Sequence, residues 1–246
     1  MRTKPLTFFT AIFLCIMLTL ASCTGQAQPA DETPPAADTE SPQATEAPAE
    51  EEASIPAPDD TAVYTITFIA QWSAESHPGQ YPSNAHFSPF IAVAHNSDDS
   101  SLIFAPGELS SPGMKEMAET GATALLEDEI NAINSDGGAD GYVKGSVFDS
   151  PGSVSADLAF TQTHSRVTFV SMIAPSPDWF VSAQAELFSD GDWVDELELV
   201  LSSYDAGTDS GPELTSANSA TNPPENIQLL PDALQGMGTL VLTRNK

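Results

Sequence analysis

Apolar and polar residues alternate in short runs along most of the chain. Val63 to Ala70 places Tyr64, Ile66 and Phe68 on one face and Thr65 and Thr67 on the other. This period of two belongs to a strand with one buried face. Similar runs predict strands at Phe87 to His95, Val154 to Gln162, Val167 to Ile173, Val181 to Phe188, Val194 to Tyr204 and Thr239 to Thr243. Helical spacing occurs between Met114 and Ile133. Pro112 and Gly113 open a turn, Met114, Met117 and Ala118 follow, Gly121 interrupts, and Leu125, Leu126, Ile130 and Ile133 repeat every three to four residues. Short strands separated by Gly, Pro and Asp predict an all-β fold, an antiparallel β-sandwich with a short helical insertion covering one end. No repeat of about 20 to 50 residues is visible, which argues against a solenoid or propeller.

The first 60 residues follow neither pattern. Arg2 and Lys4 precede an apolar run from Leu6 to Leu20, the order of a secretory leader and short for a membrane span. The run ends in Leu20-Ala21-Ser22-Cys23, which resembles the bacterial lipobox. That predicts residues 1–22 as a lipoprotein signal peptide and Cys23 as a lipidated amino terminus. The alternative is an ordinary leader cut near Ala21. Acyl chains contribute roughly 0.8 kcal/mol per buried CH2, so the mature chain would be tethered to a membrane without spanning it. Thr24 rather than Asp follows the cysteine, and by resemblance to known sorting signals this points to the outer membrane or cell surface. Residues 23–60 are predicted to be a disordered Pro/Ala/Glu-rich linker. From Gln26 to Asp60 there are seven prolines and ten acids but no base and no aromatic residue, so ordering entropy has nothing to offset it. Residues 61–246 form the predicted folded domain.

Charge sharpens this division. The 246 residues hold 35 Asp plus Glu against 7 Lys plus Arg, a net charge of -28. Such a chain cannot neutralise phosphates, which excludes nucleic acid as a partner. The leader removes two of the bases, and the domain from residue 61 keeps 25 acids and five bases. The two cysteines, Cys15 and Cys23, both precede that domain, which leaves it without disulfide or thiolate chemistry.

Catalytic motifs are missing. There is no G-x-S-x-G elbow, and Asp209-Ser210-Gly211 lacks the second copy that an aspartic protease needs. His77, His86, His95 and His164 include no close pair. His86 and His95 are an odd offset apart, so one continuous strand would point them to opposite faces. The carboxylates say more. Tyr204-Asp205-Ala206-Gly207-Thr208-Asp209-Ser210-Gly211 follows a predicted strand, and its glycines let the loop curl until Asp205 and Asp209 point at one spot. Two carboxylates 4 Å apart repel by about 4 kcal/mol at an effective dielectric of 20. Calcium, which takes hard oxygen ligands including main-chain carbonyls, would relieve that repulsion. The spacing is not that of an EF-hand, and on its own the loop reads as a solvated Asp turn sooner than as a calcium site. Ala174-Pro175-Ser176-Pro177-Asp178-Trp179-Phe180 holds Asp178 on a stiff loop between two strands, as a turn cap or as a ligand.

These two stretches, in this order and separation, resemble the spondin domain, the amino-terminal domain of F-spondin and mindin. Trp72-Ser73, His86-Phe87-Ser88-Pro89, His95 and Met114 to Gly121 agree with it, and the similarity runs from about Tyr64 to Pro223. The resemblance implies an antiparallel β-sandwich binding one Ca2+ near an end of the sheets, with Asp178, Asp205 and Asp209 as metal ligands. Ser182 stands where the family usually has Gly. The function expected is that of a non-enzymatic, lipid-anchored surface module of the cell envelope, binding an extracellular protein or glycan or mediating adhesion. Two alternatives remain: a metal-dependent extracytoplasmic hydrolase, for which Glu213 and the histidines are the candidates, and a passive envelope scaffold.

Overall fold

The computed structural model describes residues 60–246. Its elements in chain order are β1 (Thr61–Ala70), β2 (His86–Phe87), β3 (Ile91–His95), α1 (Pro112–Thr120), α2 (Ala124–Ser135), β4 (Ala139–Lys144), β5 (Phe148–Asp149), β6 (Gly152–Thr161) and β7 (Arg166–Ala174). There follow β8 (Trp179–Glu186), β9 (Phe188–Ser189), β10 (Asp192–Trp193), β11 (Glu196–Val200), β12 (Ser202–Asp205), β13 (Gln228–Leu229) and β14 (Gly238–Arg244). One sheet has the order β11-β14-β1-β6. The larger sheet runs β13-β12-β8-β7-β2-β5, with β3 pairing β7 and β4. Every pairing is antiparallel.

The predicted alternation in β1 decides which side of the smaller sheet faces inward. Tyr64, Ile66 and Phe68 are buried and meet Leu158 and Phe160 from β6 and Leu240 and Leu242 from β14. Opposite them the larger sheet contributes Phe87, Ala92, Phe169, Ile173 and Val181. The Phe68 ring centre lies 4.7 Å from that of Phe87, 5.0 Å from Phe148 and 5.2 Å from Phe169, distances typical of edge-to-face packing. The two sheets therefore close on one aromatic-rich core, the sandwich that the periodicity predicts.

A second core lies behind the larger sheet. Met114, Met117 and Ala118 of α1 and Leu126 and Ile130 of α2 pack with Ile91, Val93, Val170, Met172 and Phe180. The helices thus cover a face of the sheet, where the sequence reading placed them over an end. Burial on both sides explains why Val167 to Ala174 of β7 is buried without alternation. Ser111 caps α1, its Oγ accepting from the Met114 N–H at 3.1 Å while its hydroxyl donates to Glu129 Oε2 at 2.6 Å. Glu129 Oε1 also accepts from the Gly113 N–H at 2.7 Å, which ties α2 to the start of α1. Gly121 ends α1 at φ 72°.

Two predicted strands are divided in the structure. The run Phe87 to His95 becomes β2 and β3, separated at Ser88-Pro89-Phe90 because Pro89 has no N–H for a ladder. His86 and His95 thus lie on different strands. The run Val194 to Tyr204 becomes β11 and β12, which belong to different sheets. Leu201 sits buried at the crossing, and its N–H donates to Gly238 O at 3.0 Å.

Candidate functional site

Asp178 is positioned from both sides. The Trp179 N–H donates to Ser176 Oγ at 3.0 Å, which closes the turn between β7 and β8, and the Ala206 N–H donates to Asp178 O at 3.1 Å. The antiparallel pairing of β8 with β12 then sets Trp179 opposite Asp205. These contacts bring the two predicted motifs together although 26 residues separate the acids in sequence.

The Asp178 side chain has no exposed surface. Its Oδ2 accepts from the N–H groups of Thr208 at 2.7 Å and Asp209 at 2.9 Å, and from the Thr208 hydroxyl at 3.2 Å. Its Oδ1 is buried without any hydrogen-bond partner. Burial pushes the carboxyl up to about 6, and the nearby Asp205 charge adds to this, while the donors on Oδ2 pull the other way. Asp205 is also raised, first by burial and further by Glu225 and Asp209. Its Oδ1 accepts from the Gly207 N–H at 2.8 Å. Trp179 stabilises its anion electrostatically, although the indole N–H makes no hydrogen bond of normal geometry.

Asp209 behaves differently. It is 3% exposed, its Oδ1 accepts from the Gly211 N–H at 2.8 Å, and its Oδ2 accepts from the Ser219 N–H at 2.7 Å. It fastens the loop after β12 to the segment that returns towards β13. Further main-chain bonds run from the Thr221 N–H to Thr208 O and from the Glu225 N–H to Gly207 O, at 2.9 and 2.8 Å. Among the described residues no three His, Cys, Asp or Glu side chains are grouped so as to hold a metal by themselves. The structure couples Asp178 with Asp205, and Asp209 lies beside them with both oxygens engaged by the main chain.

Residues 62–234 match the Spondin_N family. The chain belongs to the spondin domain family. It is 39% identical over 176 residues to human Spondin-2, a stretch covering 68% of this chain and 51% of that protein. To rat Spondin-1 it is 33% identical over 181 residues, covering 69% of this chain and 22% of that protein. The chain thus spans about half of Spondin-2 and about a fifth of Spondin-1.

Within this spondin domain the other sequence candidates fall elsewhere. His77 bonds to Ser76 Oγ and Gln235 O, His86 to Asn84 O, and His95 to Asn96 O and Thr168 Oγ1, while Gly137 O lies 3.0 Å from His164 Nε2. Glu213 lines a separate cavity with Gln80 and Tyr81. Glu225 is the acid that sequence reasoning missed. It follows Pro223 and Pro224 without any motif, and the main-chain bond to Gly207, with the pairing of β12 and β13, brings it near Asp205. Residues 1–59, which hold the expected signal peptide, Cys23 and all of the expected linker except Asp60, lie outside the described residues.

Gly207 is the hinge of this arrangement. Its φ is +74°, and an added Cβ would stand 2.1 Å from Glu225 O. Gly207→Ala is expected to destabilise the domain by about 2 kcal/mol or more, the cost of a strained backbone together with a displaced loop. Urea denaturation measures this, and a loss below about 0.5 kcal/mol would show that the loop accommodates a side chain freely.

Proposed function

We propose that this chain is a lipid-anchored, extracytoplasmic spondin-domain module that takes Ca2+ through its aspartate loops and serves in binding or adhesion at the cell surface, without enzymatic activity. The observation that carries the metal reading is Asp178 Oδ1, a buried carboxylate oxygen with no partner beside a second carboxylate whose charge repels it. A buried unpaired charge is costly, and a cation is the ligand that relieves it. Asp178 and Asp205 would supply the charged oxygens, and Asp209 an outer lone pair. Main-chain carbonyls and water would complete the six to eight oxygens that calcium takes. When bound, the ion supplies charge neutralisation that holds the β7–β8 and β12–β13 loops together. The residues themselves fix the loop ends, through the main-chain bonds to Asp178 Oδ2 and Asp209.

Calorimetric titration of the full chain with calcium tests the reading. Binding heat with a melting temperature that falls on adding chelator is the expected result, and the absence of both would sink it. An extracellular module needs a dissociation constant of only roughly 10⁻⁴ to 10⁻³ M.

The anchor rests on the lipobox-like Leu20-Ala21-Ser22-Cys23 and the acidic spacer that follows it. Cys23→Ser is expected to move the protein from the membrane fraction to the soluble fraction and to abolish labelling by radioactive palmitate. Unchanged membrane recovery of the variant would refute lipidation as the tether.

A further inference from the structure

The strand β11 ends the smaller sheet and pairs only with β14. Its main-chain directions are fixed by hydrogen bonds just beyond its two ends. The Arg244 N–H donates to Asp195 O at 2.8 Å, and the Leu201 N–H donates to Gly238 O at 3.0 Å. Both contacts reach β14 from odd-numbered positions, and along an antiparallel strand the direction alternates with each residue. Leu197 and Leu199 therefore turn their N–H and C=O groups towards β14, whereas Glu196, Glu198 and Val200 turn theirs outward. Among the described residues none of these outward groups has a hydrogen-bond partner.

The side chains divide by the same alternation. Leu197 and Leu199 are half-buried against the core, while Glu196 and Glu198 are exposed and Val200 is 72% exposed. No ion pair among the described residues engages either glutamate. The edge thus offers an open hydrogen-bonding ladder flanked by two uncompensated negative charges and one bare apolar side chain. Unpaired edges of this kind are templates for a further strand.

We infer that β11 docks an extended basic segment of a partner protein, added as an antiparallel strand with Lys or Arg opposite Glu196 and Glu198 and an apolar residue opposite Val200. The main chain supplies the ladder, and the side chains opposite each other select the sequence. Opposite charges across a strand pair stabilise it, and like charges destabilise it. That rule removes the other occupants. A second copy added antiparallel about Glu198 would set this acid against its own counterpart. The chain's own segment from Gln26 to Asp60 brings ten acids and no base. At longer range the domain's 25 acids against five bases draw in a cationic segment and turn anionic ones away.

The inference deepens the binding role proposed above but depends on neither calcium nor the anchor, so its test is run in chelator and its failure is distinct from that of the metal reading. Fluorescence anisotropy of the full chain in about 0.15 M salt, where distant charges are screened, uses the labelled peptide SVVKVKVS. Its lysines fall opposite Glu198 and Glu196 when its second residue faces Val200. Controls are SVVEVEVS and a form of the basic peptide methylated on the main-chain nitrogen of both lysines, which removes the donors to β11. Saturable binding of the basic peptide is expected, weakened roughly tenfold or more in either control. Glu198→Lys should weaken the basic peptide by roughly tenfold and let SVVEVEVS bind in its place. Glu198 is exposed, so this variant should melt as the parent does. No saturable binding of SVVKVKVS, or equal binding of the methylated form, would overturn the proposal. So would an affinity that Glu198→Lys leaves unchanged, the result of addition at the free edge of β8 from Ala183 to Glu186 instead. Sedimentation of the parent as a dimer that Glu198→Lys disrupts would assign the edge to a second copy.

Discussion

Asp178→Asn is expected to make the metal-free protein more stable at pH 7 while removing its response to calcium. The parent carboxyl, raised to about 6, stands above the ordinary Asp value of 3.8. Between these values the folded state holds the proton that the unfolded state has released. The stabilisation is therefore complete below about pH 4, falls as pH rises, and is lost above about pH 6. Two units of pKa correspond to about 3 kcal/mol, a large part of the stability of an ordinary domain. An asparagine keeps the shape and removes the charge. Its amide oxygen can still accept from the Thr208 and Asp209 N–H groups, and its uncharged NH2 takes the place of the partnerless Oδ1, which ends the repulsion from the Asp205 charge. A gain of about 1 to 3 kcal/mol at pH 7 follows, shrinking towards zero at pH 4 where the parent carboxyl is already neutral. If the proposed site takes calcium, excess calcium should raise the melting temperature of the parent, as a ligand of the folded state alone does, and leave the variant unmoved. Thermal melts at pH 4 and pH 7, with calcium and with chelator, separate these contributions. A variant that retains the calcium gain would remove Asp178 from the site.

The same residue shows how far the sequence could be read. Alternation in β1 and the near-continuous burial of β7 come from patterns that depend only on local spacing, and both sheets of the sandwich were visible through them. The aspartate motifs were visible because each carries its own punctuation, Pro175 and Pro177 before Asp178 and Gly207 and Gly211 around Asp209. What spacing cannot give is the partner of each oxygen. Asp209 reads as a ligand like the other two, yet its carboxylate is occupied by the N–H groups of Gly211 and Ser219, the second of them ten residues along the chain. Glu225 has no motif, and its place depends on a long-range bond. The strand β4 was missed because Asp140 and Gly141 look like a turn, and it forms nonetheless since β3 offers it a free edge. The division of Val194 to Tyr204 between two sheets was hidden for a related reason: a buried leucine at the crossing looks the same in sequence as one in mid-strand.

Phe68→Ala should cost about 3 to 5 kcal/mol, the range for removing a buried aromatic ring from a packed core. Phe68 is wholly buried in the smaller sheet, and its ring touches Phe87 and Phe169 of the larger sheet and Phe148 of β5. It therefore spans the interface between the sheets, and a cavity left there deprives three other rings of their edge-to-face partner. Phe87 and Phe169 lie on strands paired on both sides and can collapse little into the space, whereas Phe148 lies on the edge strand β5. For a domain of this size the melting temperature should fall by roughly 6 to 20 °C. The aspartate loops adjoin β8 and β12, whereas Phe68 packs in the core between the sheets, so on the proposed reading the variant should keep the parent's response to calcium below its lowered melting point. Urea denaturation and calorimetry at 10 °C read the two effects separately. A loss under about 1 kcal/mol would mean that the sheets repack without the ring, and a weakened calcium affinity in the folded variant would show that the core and the loops are coupled.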